Sequence, residues 1–162
     1  MSIEKVRAYF TELGIADRIQ EFDVSSATVE LAALALGVEG KRIAKTLSFL
    51  TGDTCVLIVA AGDAKVDNSK YKAQFHCKAK MLPHDLVPEY IGHAVGGVCP
   101  FAVKEGVAVY LDESLKRFET VFPACGSSNS AICLTIPELE CYSGFMEWVD
   151  VCKGWQEEGG QE

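Results

Sequence analysis

A lysine lies within a segment whose pattern is that of a buried strand, and it is the residue whose position most suggests chemistry. The segment RIAKTLSFL, residues 42–50, alternates so that Lys45 and Leu47 share one face. Thr46 and Ser48 are expected on the opposite face, in contact with water. An ammonium group among apolar residues is costly without a partner. Lys45 is therefore predicted to point into a cleft and contact an anion or a carbonyl; alternatively, it reaches solvent from the start of the strand.

Two later loops, rich in glycine or in small polar residues, offer groups that could bind a ligand. The first is VGGVCPF, residues 95–101, where paired glycines let the backbone approach a ligand and turn N–H groups outward. The second is ACGSSNSAICL, residues 124–134, which carries hydroxyl and amide side chains between two predicted strands. Each loop could equally be a plain connection between neighbouring elements.

Familiar catalytic and cofactor motifs are missing from the sequence. It contains no phosphate-binding loop, dinucleotide fingerprint, zinc-protease motif or nucleophile elbow. His76, His84 and His93 lack ligand-like neighbours, so neither a metal nor a cofactor is predicted. A thiol nucleophile at Cys99 or Cys125 would need a nearby general base, and no histidine is an obvious candidate. Hydrolysis would therefore have to depend on positioning, backbone donors and the substrate's own groups.

The spacing of apolar residues predicts about seven short strands with four or five helices interspersed unevenly. The strands IAKTLSFL and CVLIVAA are joined by TGD, a hairpin signal. The helix in SSATVELAALALG is apolar on nearly all sides and is expected to be buried. A lysine-rich helix follows, with Asp67, Asn68 or Ser69 as its cap. This pattern favours a mixed sheet, curled into a barrel, with helices outside.

Composition and length indicate one globular domain, over residues 1–153, followed by a polar, glycine-rich flexible tail at 154–162. The longest apolar stretch is only strand-sized, and the N-terminus does not resemble a signal peptide, so we expect a cytoplasmic protein without a membrane partner. Its seven cysteines are scattered and include no C-x-x-C, which argues against a disulfide framework or a zinc site.

Charge is distributed unevenly along the chain. The formal net charge of -8 argues against binding to DNA. Residues 64–84 nevertheless hold five lysines and one aspartate, whereas residues 138–162 hold seven acidic residues and one lysine. The lysine-rich segment is therefore either a basic docking face or a solvated helix.

The segments RIAKTLSF, HAVGGVCPF and CGSSNSAICLTIPEL, taken in this order, resemble the YbaK/ProX family. Members of this family are freestanding relatives of the editing domain inserted in bacterial prolyl-tRNA synthetases. The resemblance runs from roughly residue 3 to residue 150. It implies an α+β fold with a mixed, largely antiparallel, β-barrel-like sheet of about seven strands surrounded by helices.

The resemblance also implies a function, that of an aminoacyl-tRNA deacylase acting as a trans-editing factor. Such an enzyme hydrolyses the ester of a mischarged small amino acid on tRNA, and tRNA for proline is the first candidate. The CCA end and acceptor stem would be the partner, with prolyl-tRNA synthetase as a second candidate partner. The alternative is a catalytically silent module of the same fold that binds tRNA or a synthetase. The segment from Lys65 to Lys80 could approach the acceptor-stem phosphates.

The family motifs imply a set of site residues. Lys45 would engage the carbonyl or phosphate end of the substrate, and the backbone N–H groups of Gly96 and Gly97 would hold the reacting ester. These three are the predicted catalytic residues. The predicted substrate-binding residues are Phe22, Thr46, Val98, Pro100, Cys125, Gly126, Ser127 and Asn129.

Three positions depart from the members that act on cysteinyl-tRNA. Those members are expected to have a tyrosine near position 22, an acid near position 132 and a serine at position 125. This chain has Phe22, Ile132 and Cys125, so its pocket is expected to be more apolar. A small pocket suits the second sieve of editing. Cysteine, alanine, serine or another small amino acid therefore remains open as the residue removed.

Overall fold

The structure is a computed structural model that describes residues 2–52 and 54–155. The helices are α1 (Ser2–Leu13), α2 (Val29–Leu36), α3 (Asn68–Phe75), α4 (Val87–Ile91) and α5 (Ile136–Ser143). The strands are β1 (Gln20–Glu21), β2 (Ile43–Thr51), β3 (Thr54–Ala61), β4 (Lys65–Val66), β5 (Ala108–Asp112), β6 (Thr120–Pro123), β7 (Ser130–Ala131), β8 (Leu134–Thr135), β9 (Glu147–Val149) and β10 (Cys152–Lys153).

Six strands form the main sheet, in the order β8-β6-β2-β3-β5-β9. Its centre is the antiparallel β2–β3 hairpin that the TGD signal predicts. Strand β6 runs parallel to β2, while β5 runs parallel to β3 and β9 parallel to β5. Strands β1 and β7 form one two-stranded sheet, and β4 and β10 form another. The expected α+β architecture, a curled mixed sheet with helices around it, is confirmed.

The central hairpin is covered on both faces. The main core lies on one face, where Leu57 and Val59 pack with Phe10 of α1. A second core lies on the other face, around Tyr71 of α3. A strand buried on both faces has a nearly continuous apolar sequence, as β3 does. The prediction that Ser48 would face water is wrong, since its exposed fraction is 7%.

Helix α2 is less buried than its apolar sequence predicts. It begins after Thr28, whose side chain accepts from the N–H of Leu31, and it ends at Gly37 in a left-handed conformation (φ 71°). Within α2 only Ala32 is buried, and Leu34 is 80% exposed. The expectation of a buried helix is therefore wrong: α2 has only one face against the sheet.

The cap of α3 follows the sequence signals more closely, and the end of the chain follows them only in part. Asp67 caps α3 by accepting from two backbone N–H groups, as one of the three predicted alternatives. Trp155 lies in the expected tail, yet Arg117 donates to its carbonyl oxygen (3.1 Å). The rest of that tail, residues 156–162, lies outside the described residues, and the domain limit at residue 153 stays a prediction. Within the described ranges, no helix has the length and hydrophobicity to cross a membrane.

Candidate active site

A cavity of about 320 Å³ lies beside β2, beyond the point where its pairing with β6 ends. Strand β6 pairs with β2 only at Ile43 and Ala44. Further along, β2 regains a neighbour when Phe49 pairs with Met81. The cavity fills the gap between these two pairings. Its wall comes from the start of α2 and the preceding loop, from β2, and from residues within the ranges 81–87, 95–98 and 122–131.

Lys45 is part of this wall, and its side chain leaves β2 on the face opposite to those of Thr46 and Ser48. Its side chain is half-buried, and Nζ donates to the carbonyl oxygen of Gly62 (3.3 Å). Burial lowers the pKa of Lys45, and nearby Cys152 and Asp63 oppose that shift. A carbonyl at this distance compensates only part of the lost hydration, so the ammonium can still attract an anionic or polarised group.

The rest of the wall is mostly apolar. Among the described residues that form it, Lys45 is the only lysine or arginine, and none is an aspartate or glutamate. Apolar surroundings strengthen the interaction of a charge with a ligand, because water screens it less. The cavity therefore suits a small, largely apolar group attached to a polar or negatively charged one.

Three further predicted site residues lie on the wall: Thr46, Gly96 and Val98. The hydroxyl oxygen Oγ1 of Thr46 is buried and has no hydrogen-bond partner. Gly96 adopts a left-handed backbone conformation (φ 91°), which a glycine tolerates without strain. The structure thus brings the lysine of β2 and the glycine loop to one cavity.

Gly97 lies behind the wall and joins the two loops. Its N–H donates to the carbonyl oxygen of Ala94 (3.0 Å), so in this conformation it is not directed at a ligand. A Cβ atom added at Gly97 would lie 2.5 Å from the backbone nitrogen of Ser127. Glycine is required here because the loop at 95–101 packs directly on the backbone of the later loop. Pro100 and Gly126 are buried and do not form part of the wall.

Phe22, Ser127 and Asn129 also lie behind the wall, where they support Ser130. Asn129 Nδ2 donates to the carbonyl oxygen of Phe22 (2.9 Å). Ser127 Oγ lies 2.9 Å from Asn129 Oδ1 and 2.8 Å from Ser130 Oγ. Since Asn129 Oδ1 can only accept, the one hydroxyl hydrogen of Ser127 goes to it, and Ser130 must donate to Ser127. Ser130, which is on the wall, therefore offers only lone pairs to the cavity.

The buried thiols are poorly placed for nucleophilic catalysis. Cys125 packs in the main core, and burial raises its pKa. Burial also raises the pKa of Cys99 to about 12. The sequence did not indicate that His93 would lie near Cys99, with Nε2 3.6 Å from Sγ. However, Nε2 is 2.7 Å from the carbonyl oxygen of Phe101, so it carries a hydrogen and cannot accept the thiol proton.

Several wall residues were not predicted from the sequence. Ser26 comes from the loop before α2, Val29 from the start of α2, Leu82 from the segment after α3, and Phe122 from β6. They are ordinary core or loop residues by type, and only the folding of four distant segments around the β2 edge brings them together. No local signal in the sequence distinguishes them.

Comparison with known proteins gives the same assignment as the motifs. The family model described as "Aminoacyl-tRNA editing domain" matches residues 24–141. The uncharacterized protein YwhH of Bacillus subtilis is 55% identical over 157 residues, covering 96% of this chain and 100% of YwhH. Proline–tRNA ligase of Bacillus subtilis is 29% identical over 90 residues, which are 55% of this chain and 16% of the ligase.

A solved structure shares the fold over nearly the whole chain. It is that of a candidate trans-editing enzyme for prolyl tRNA synthetase, with a TM-score of 0.84 and 27% sequence identity, and the match covers 94% of this chain and 98% of that one. Family model, sequence relatives and fold agree with the resemblance that the three motifs suggested. The chain belongs to the aminoacyl-tRNA editing domain family.

Proposed function

We propose that this protein is an aminoacyl-tRNA deacylase that removes a mischarged small amino acid in trans, with tRNA for proline as the first substrate to test. The observation that carries the proposal is the half-buried Lys45 on the wall of a small, mostly apolar cavity. Membership of the editing-domain family and the likeness to a candidate trans-editing enzyme support it.

The reaction would be hydrolysis of the ester that links the amino acid to the terminal ribose. The oxygen of a water molecule bonds to the ester carbonyl carbon, the bond from that carbon to the ribose oxygen breaks, and the ribose oxygen leaves with a proton. Because an ester is already activated, oriented donors and a placed water can suffice without a protein nucleophile. Lys45 would stabilise negative charge on the substrate, at the carbonyl oxygen or at the terminal phosphate.

The cavity would act as a size filter. A volume of about 320 Å³ must hold the aminoacyl group and part of the terminal ribose, which favours small side chains. Among the described residues of the wall there is no carboxylate, so nothing there selects a basic side chain. Alanine, serine and cysteine are the candidate amino acids, and considerably bulkier side chains would be excluded, while a deacylase in this role must also spare correctly charged prolyl-tRNA.

A deacylation assay tests the proposal directly. Proline tRNA would be charged separately with alanine, serine, cysteine and proline, and loss of each ester would be followed with and without the protein. The expected result is accelerated loss of at least one small amino acid and no effect on prolyl-tRNA. Rates equal to the spontaneous rates for all four would contradict the proposal. Binding of the tRNA without hydrolysis would instead favour the silent binding module.

A further inference from the structure

The outer edge of β2 is open over a very short length inside the cavity. The carbonyl oxygen of Ser48 accepts from the N–H of Leu82 (3.1 Å), and the N–H of Leu50 donates to the carbonyl oxygen of Lys80 (2.8 Å). These bonds show that alternate residues of β2 turn their N–H and C=O groups toward this edge. Thr46 follows the same alternation, but it lies beyond the pairing with β6, which ends at Ala44. Thr46 pairs with Val59 of β3 on its inner side, but among the residues that the structure describes no strand pairs with it at this outer edge.

We infer that this open edge binds the aminoacyl group of the substrate through the main chain of Thr46, an inference that rests on the proposed function. In an antiparallel pair, one residue gives its N–H to the partner's C=O and its C=O to the partner's N–H. An α-aminoacyl ester carries the same two groups, an α-ammonium and a carbonyl, on one residue. The ammonium donates to the carbonyl oxygen of Thr46, and the N–H of Thr46 donates to the ester carbonyl oxygen.

The length of the gap favours one amino acid over a peptide strand. From Ala44 to Ser48 the strand spans only about 13 Å, at roughly 3.3 Å per residue. Within it, Thr46 is the residue whose N–H and C=O both point outward without a strand partner. A peptide added to a sheet edge makes a run of such pairs. The single N–H and single C=O of Thr46 can pair with one amino acid attached to a larger molecule, but not with a peptide strand.

The direction of the substrate side chain follows from the same pairing. Residues directly opposite each other in neighbouring strands place their side chains on one face. The substrate side chain would therefore lie beside that of Thr46, where Leu82, Val98 and Ser48 form the wall. Lys45, one residue earlier in the strand, points to the other face and remains available for the nucleotide end. Oγ1 of Thr46, which is buried and has no hydrogen-bond partner, belongs to the same side chain.

Hydrogen exchange and NMR titration of the isotope-labelled protein test the inference. In the free protein the amide of Thr46 should exchange faster than the amides of Lys45 and Leu47, which bond to β3. The probe is 3′-deoxy-3′-(L-alanylamino)adenosine, which has an amide in place of the ester and cannot be hydrolysed in the assay. At about ten times its Kd it should slow exchange at Thr46 by about tenfold and shift that amide proton downfield.

A matched probe measures how much the α-ammonium contributes to binding. The 3′-propionylamino compound has the same size but lacks the α-amine, and its Kd should be at least about tenfold higher. Protection of Thr46 in the free protein equal to that of Leu47 would overturn the inference, as would binding of the alanyl probe that leaves Thr46 unchanged. Equal Kd values for the two probes would also overturn it. In these cases deacylation could persist, whereas failure of both probe binding and deacylation would overturn the proposed function as well.

Discussion

Among single residues, Lys45 is the one on which the proposed active site most depends. Its side chain is half-buried beside the cavity, and burial lowers its pKa. A lysine whose pKa is lower in the folded protein than in the unfolded chain binds protons more weakly when folded. The contribution of Lys45 to the free energy of unfolding therefore rises with pH through the window between the lowered pKa and the usual value of about 10.4. A structural lysine paired with a buried acid would show the opposite trend.

Lys45→Met should leave the free energy of unfolding at pH 7 within about 0.5 kcal/mol of wild type or raise it, because a poorly compensated ammonium is removed. The difference between wild type and variant should shift in favour of wild type as pH rises through that window. Denaturant unfolding from pH 7 to pH 10 measures both. Lys72→Met, at an exposed position of α3, is the matched control and should show no such trend. A loss of several kcal/mol at pH 7 would make Lys45 a structural partner.

The buried cysteines give a second prediction at the residue scale. Burial raises the pKa of both Cys99 and Cys125, so neither forms a thiolate near neutral pH. The double substitution to alanine should keep kcat/KM for deacylation within about threefold of wild type, while it lowers stability by about 1–2 kcal/mol per site through small cavities. Iodoacetamide should not inactivate the wild-type enzyme. Loss of activity in a folded double variant would revive a thiol mechanism.

At the scale of elements, the cavity depends on how two loops pack behind it. A Cβ at Gly97 would lie 2.5 Å from the backbone nitrogen of Ser127, and backbone cannot move aside as a side chain can. Gly97→Ala should therefore lower the free energy of unfolding by about 2–3 kcal/mol. It should also reduce kcat/KM by more than about tenfold, because the wall residue Gly96 shifts with its neighbour. Thermal denaturation and the deacylation assay measure the two effects.

Gly40→Ala is the matched control for that prediction. Its added Cβ would meet only Val29 Cγ1, at 3.4 Å, and that side chain can adjust. The cost in stability should stay below about 1 kcal/mol. If Gly97→Ala were as stable and as active as Gly40→Ala, close packing of the two loops would not be what makes the cavity.

The elements also show what the sequence could and could not predict. The hairpin and the cap at Asp67 follow from turn and capping chemistry, which one segment contains completely. The exposure of α2 and the burial of Ser48 depend on whether a second layer covers each surface, and no local pattern reports that. For the same reason the sequence could not show that Phe22, Ser127 and Asn129, predicted to bind substrate, lie behind the wall and support Ser130.

At the scale of the whole molecule, binding of a large polyanion must overcome a net charge of -8. The lysine-rich segment provides positive charge close to the cavity, since Lys78 and Lys80 are exposed next to Met81 on its wall. Lys78→Ser with Lys80→Ser should raise KM for aminoacyl-tRNA, leave kcat unchanged and reduce the salt slope of binding by up to about 1.5. Titration of tRNA binding against salt measures the slope.

Lys116, which is not part of the cavity wall, is a control for the charge prediction. Its side chain is half-exposed and lies beside Glu113 and the ring of Trp148. Lys116→Ser should leave KM and the salt slope unchanged. Equal effects of both changes would mean that total charge, and not a docking face beside the cavity, governs tRNA binding.

The most direct measurement is deacylation of alanyl-, seryl- and cysteinyl-tRNA for proline by wild type and by Lys45→Ala. Wild type is expected to hydrolyse at least one of these esters, and Lys45→Ala should lose more than about 100-fold in kcat/KM while keeping its fold. Lys72→Ala should retain wild-type kcat. Hydrolysis by Lys45→Ala within about twofold of wild type would show that the half-buried lysine of β2 does not mark the active site.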